Sequence, residues 1–239
     1  MNSEINNALL NAYCERTHPG LWGEPFNALT NLAFIIAGLL AIRLYRNLGV
    51  FSLRRHWDFV LLIALLFAIG VGSALWHFVP TRHTILADVI PILVFINVYL
   101  LSFLVRVVDR GWRFTAGCYL AFLTINVVTN MAFSRDFLNG SVFYAPAWIT
   151  LITMGAYLQA IHHRLRKRML VAGVIFTASL FFRTMDKSVC QWVPEGTHFI
   201  WHVLNAWLLY VLAGALFDHQ ANIETNIETA AQTKRQTRR

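Results

Sequence analysis

The chain has 239 residues, of which 57% are hydrophobic and 13% charged, and its mean hydropathy is +0.52. An ordinary soluble domain is roughly 45–50% apolar and about 25% charged, which excludes a soluble two-domain enzyme and an intrinsically disordered chain. The net charge of +8 belongs to residues that flank apolar stretches, so it reads as contact with anionic lipid and not as nucleic-acid binding.

Seven stretches reach the roughly 20 apolar residues a helix needs to cross a ~30 Å hydrocarbon layer. In chain order they cover about 27–45, 57–78, 84–105, 112–131, 142–161, 169–182 with a few residues beyond, and 197–217. The sixth is the least sharply bounded, because Arg183 and Asp186 stand at its end. Helices are expected, since open strands would leave backbone groups unpaired in lipid, and the alternation of a membrane barrel is missing. The expected architecture is therefore an all-α membrane protein. It has an outer N-terminal segment (1–26), a seven-helix domain (27–217) and a disordered, basic cytoplasmic tail (218–239). Residues 1–15 have neither a basic start nor an apolar core, so no cleavable signal peptide is expected.

Cytoplasmic segments retain Lys and Arg. With seven spans, 15 of the 20 basic residues fall on one side, among them Arg43, Arg106, Arg164, Lys234, Arg238 and Arg239. The other side holds 5: Arg16, Arg82, Arg135, Arg183 and Lys187. This asymmetry places the N-terminus outside and the C-terminus in the cytoplasm. Compact loops and the lack of targeting signals point to a bacterial inner membrane.

Ionisable groups inside a span cost about 2.5–3.5 kcal/mol each on insertion scales, so those present need partners or a task. The second span ends in GVGSALWHFVP, with Ser73 and His77 four apart on one helix face. Asp88 lies near the start of the third span. The seventh opens with GTHFIWHVLN, where His198, His202 and Asn205 follow one stripe. Given the alternating directions of the spans, Ser73, His77, Asp88, His198 and His202 all converge on one depth near the outer face. Three histidines with an open fourth position describe a catalytic zinc site. Zinc brings a bound water toward a pKa of ~7 and polarises a carbonyl. Asp88 then serves as general base and acid, and Ser73 donates to the developing oxyanion. Hydrolysis of a lipid ester or amide fits this set. Taken singly, the same residues also suit an interfacial hydrogen-bonder, a haem ligand or helix glue. Asn27, Asn31, Asn97, Asn126, Asn130 and Asn205 form a weaker polar set, and His18, His56, His83, His162, His163 and His219 are left outside the metal site.

These residues resemble the alkaline ceramidase family, within the seven-helix membrane hydrolases that include the adiponectin receptors. The resemblance rests on YCER (13–16), WGEPFNALTNL (22–32), GSALWHF (72–78), LADVIP (86–91) and GTHFIWH (196–202). It implies His77, His198 and His202 as zinc ligands, Asp88 as proton-transfer residue and Ser73 as oxyanion partner or water positioner. It also implies hydrolysis of the amide of ceramide or a similar N-acyl membrane lipid. Animal relatives carry calcium in the N-terminal segment, and Glu15 and Glu24 match two of its carboxylates. Ala12 and Thr17 replace an aspartate and an asparagine, so Ca2+, which wants six to eight oxygens, is a poor fit. Glu15 and Glu24 are then expected to pair with Arg16 or Arg183 or to cap the first helix. Cys14 and Cys190 both fall on the outer, oxidising side; the resemblance favours a bridge between them over two unrelated thiols. Set against the hydrolase is a receptor-like, lipid-binding protein with a structural zinc, which would more often close its site with a fourth protein ligand. A transporter would want polar groups at the midplane and a path to both faces.

Overall fold

The computed structural model describes residues 12–18, 20–49, 54–134 and 136–237. Residues 1–11 of the N-terminal segment, and Arg135, Arg238 and Arg239 of the charge count, lie outside the described residues. Two helical pieces, Pro25–Thr30 and Leu32–Asn47, continue through Asn31 and form α1. Then follow α2 (Trp57–Phe78), α3 (Arg82–Phe103, closed by a π-helical turn at Leu104–Val108) and α4 (Trp112–Ala132). A 3-10 segment, Phe137–Tyr144, leads into α5 (Ala145–Ala160). The chain ends with α6 (Arg166–Met185) and α7 (His198–Gln236). All seven are long and apolar enough to cross a membrane, and no strand occurs among the described residues.

The core is aliphatic and aromatic, with Phe34, Tyr45, Phe59, Leu66, Phe95, Phe103, Leu158, Met169 and Phe217 almost fully enclosed. Outward faces are just as apolar: Ile36, Leu39, Val71, Val174 and Trp207 are all exposed. A protein in water rarely tolerates so much contiguous apolar surface; lipid accepts it. The most peripheral helix is α4, in which Phe122 alone is buried among the described residues.

One local device brings α2 and α3 together at the height of the polar cluster. Pro91 has no N–H to give the Ala87 carbonyl one turn earlier. Gly72 presents bare backbone to that same carbonyl, and a Cβ there would stand 2.0 Å from the Ala87 oxygen. The two interruptions thus make a close crossing beside Ser73 and Asp88. The capping box of Thr81 and Thr84 starts α3 directly after the turn.

At the opposite end of the bundle a polar belt ties four helices. Arg106 grips Asp58 with two hydrogen bonds of 2.8 and 2.7 Å and reaches Gln220 at 2.9 Å. His56 joins Tyr45 (2.9 Å) to Glu224 (3.0 Å), while His219 bonds the Arg106 carbonyl. The expectation of a disordered tail after Asp218 is corrected here, because α7 continues unbroken to Gln236. Residues 218–236 contain neither Gly nor Pro. Gln220 and Glu224 anchor the first turns of this extension to α2 and α3, and good helix formers carry it on.

Candidate metal centre

His77 sits in the last turn of α2, and His198 and His202 in the first two turns of α7. All three are buried, and one ligand atom from each lies within 4.8 Å of the others. Their ring centroids are separated by 5.5, 4.9 and 4.7 Å. The nitrogens Nε2 of His77, Nδ1 of His198 and Nε2 of His202 are buried without a hydrogen-bond partner. Orphaned polar atoms are rare in protein interiors. Three from imidazoles, gathered in one place, fit a borderline-soft divalent metal bound by nitrogen.

On His77 and His202 the opposite ring nitrogen is held. His77 Nδ1 meets Glu24 Oε2 at 2.5 Å, and His202 Nδ1 meets Thr30 Oγ1 at 3.0 Å. Such contacts fix the ring and leave its other nitrogen free to bind a metal. Glu24 is itself fixed by Arg16, whose guanidinium also donates to the His77 carbonyl at 2.6 Å, and by Asn27 Nδ2 at 3.0 Å. Burial by itself would raise the Glu24 carboxyl, but His77 and Arg16 beside it hold it below the usual range. Glu15 accepts the backbone N–H groups of Phe26 (2.5 Å) and Asn27 (2.8 Å), and so caps the start of α1. Burial pushes its carboxyl up against the downward pull of those two donors. All four carboxylate oxygens of Glu15 and Glu24 thus accept protein donors. Thr17 turns to His18 instead, at 3.2 Å.

Two connections hold α7 in place. Cys14 and Cys190 form a disulfide with Cα atoms 5.3 Å apart. Asp186, fully buried, accepts the N–H groups of Thr197 (2.7 Å) and His198 (3.0 Å) on one oxygen and of Cys14 (3.2 Å) on the other. It therefore acts as the cap of α7, delivered from the end of α6. Gly196, at φ +67°, lets the chain pass: a Cβ there would meet the Asp186 carboxylate at 2.1 Å. The N-terminal segment lies over the site, and the Tyr13 ring rests 4.1 Å from His198 and 5.1 Å from His77.

Ser73 Oγ and Asp88 Oδ1 are both buried and lack a well-aligned partner, although the two side chains adjoin one another. Asp88 also lies within electrostatic reach of His77 and Arg183. Arg183 is held between the rings of Tyr144 and Trp201, 5.4 and 5.3 Å from their centroids. Beside Trp201 opens an apolar cavity of about 70 Å³ between α3, α5, α6 and α7, walled by residues such as Phe95, Leu151, Met154, Phe176 and Leu208.

The five residues expected from spacing are thus gathered around one point. Asn27, Asn31 and Asn205 of the weaker polar set are also buried. Asn97, Asn126 and Asn130 instead donate to carbonyls one turn back on their own helices. Spacing did not reveal Asp186, the Arg183 aromatic clamp or the tie between Glu24 and His77. Their only signal was charge at the edge of an apolar run. No curated protein matches the chain. The family model described as Ceramidase matches residues 11–235, nearly the whole length, and the chain belongs to that family.

Proposed function

We propose that the protein is a zinc-dependent amidase that cleaves ceramide or a similar N-acyl lipid within the membrane. The observation that carries this reading is the trio of buried, partnerless imidazole nitrogens of His77, His198 and His202, with a carboxylate and a hydroxyl beside it. When bound, zinc supplies Lewis acidity toward the amide carbonyl and acidifies a water at the site. The protein supplies the remainder. The apolar cavity takes the acyl chain out of lipid and sets the scissile carbonyl at its polar rim. Ser73 Oγ donates to the oxygen as it gains charge. Asp88 takes a proton from the attacking water and passes it to the leaving nitrogen. The water oxygen ends in the fatty acid and the transferred proton in the free amine, so the reaction balances with no further reactant.

In this reading Glu15 and Glu24 serve structure without calcium, and the N-terminus with the metal centre faces the periplasm of a bacterial inner membrane. The excess of basic residues at the opposite end supports that orientation. The test is release of fatty acid and sphingoid base in equal amounts from N-acyl sphingoid bases by detergent-purified protein. Loss of that release with a zinc chelator, and its return with added zinc, are expected; hydrolysis indifferent to chelation would contradict the reading. Glu24→Gln should lower zinc affinity by about 10–100-fold. Competition with a calibrated chelator measures that, and unchanged affinity would show that Glu24 does not support His77.

A further inference from the structure

Among the buried polar atoms left without a partner, two line the apolar cavity: Trp201 Nε1 and Asn205 Nδ2. Of the hydroxyl-bearing residues in its wall, Thr150 gives its proton to the Pro146 carbonyl at 2.7 Å and Tyr99 gives its proton to the Met169 sulfur at 3.9 Å. A bare alkyl chain would leave Trp201 and Asn205 unsatisfied in a dry cavity, which is costly. They need an oxygen from the ligand.

Helix geometry says where that oxygen lies. Asn205 follows His202 by three residues, so it sits about 4.5 Å further along α7 from the metal centre, at 1.5 Å per residue. With the scissile carbonyl at the histidines and the chain running into the cavity, hydrogen-bond reach from Asn205 covers the second and third acyl carbons. A hydroxyl suits the site best, because it can both donate and accept. It therefore satisfies the Asn205 amide whichever way that group is turned.

We propose that Asn205, with Trp201 beside it, recognises a hydroxyl on the second or third carbon of the acyl chain, making amides of 2- or 3-hydroxy fatty acids the preferred substrates. The proposal rests on the amidase reading and narrows its substrate class. Asn205 is a positioning residue, since it touches the chain and not the reacting atoms.

The experiment compares the zinc-loaded, full-length protein with Asn205→Leu, which keeps the branched shape without the polar atoms, and Asn205→Ser, which keeps a polar group. Matched amides of sphinganine carry palmitoyl, 2-hydroxypalmitoyl or 3-hydroxypalmitoyl chains, and a fourth pairs palmitoyl with 3-deoxysphinganine. Equilibrium binding of the corresponding free fatty acids is measured on the same preparations. The wild-type protein should favour one hydroxyacyl amide by about ten-fold in kcat/KM, chiefly through KM. The same preference should appear in fatty-acid binding. Asn205→Leu should bring both ratios to about one, and Asn205→Ser should restore part of them. Equal treatment of hydroxylated and plain chains by the wild type would overturn the proposal. So would discrimination that follows the hydroxyl of the base instead. Because acid binding needs no turnover, a failure to cleave any amide would strike the amidase reading, while the binding ratio would still decide for or against Asn205.

Discussion

Asp88→Asn is expected to lower amide hydrolysis by about 10²–10⁴-fold, the usual contribution of a positioned general acid or base. Asparagine preserves shape and burial beside Ser73 and His77 but can neither accept nor return a proton at neutral pH. None of the three imidazole nitrogens is touched, so zinc content should stay at the wild-type level. Turnover and elemental analysis on one preparation check both halves. Retained turnover would remove Asp88 from the proton path, and joint loss of zinc and activity would make it a metal-site residue.

The second large effect concerns stability. Asp186→Ala removes the acceptor of three backbone N–H groups, those of Cys14, Thr197 and His198. The Cys14 and His198 donors are left buried and that of Thr197 half-buried, and a hydrogen bond to a charged group is worth about 1.5–3 kcal/mol. The combined cost should reach several kcal/mol, seen as a large drop in the thermal midpoint of the detergent-solubilised protein. Asp186→Asn should fall between. Its remaining oxygen can still accept from Thr197 and His198, but its NH2 group would face the Cys14 N–H, donor against donor. A midpoint that does not move in Asp186→Ala would mean that the disulfide alone holds the N-terminal segment to α7.

Much of this was legible in the chain itself, for reasons that differ by residue. Hydropathy locates helices because the bilayer demands length and apolarity of every span, and the seven stretches follow. Ser73 with His77, and His198 with His202, could be paired because a four-residue step is one turn of helix. Alternating span direction then put Asp88 at their level. Glu24 and Asp186 stood outside that logic. Each lies at a helix boundary, where no periodicity applies, and each acts on a partner brought near only by tertiary packing. Glu24 reaches His77 across 53 positions and Asp186 reaches Cys14 across 172. Asn205 was visible as part of a polar stripe, but its lack of a partner appears only once the cavity walls are assembled. The tail was misjudged because polarity was read as disorder, whereas its Ala, Glu and Gln content sustains a helix that the polar belt at its root starts.

The central claim is that His77, His198 and His202 hold one zinc. Elemental mass spectrometry of detergent-purified protein, beside His77→Ala and His202→Ala, tests it most directly. The account predicts close to one zinc per wild-type chain and loss of that zinc in both variants. Metal-free wild-type protein that stays so after incubation with zinc, or zinc retained in both variants, would contradict it.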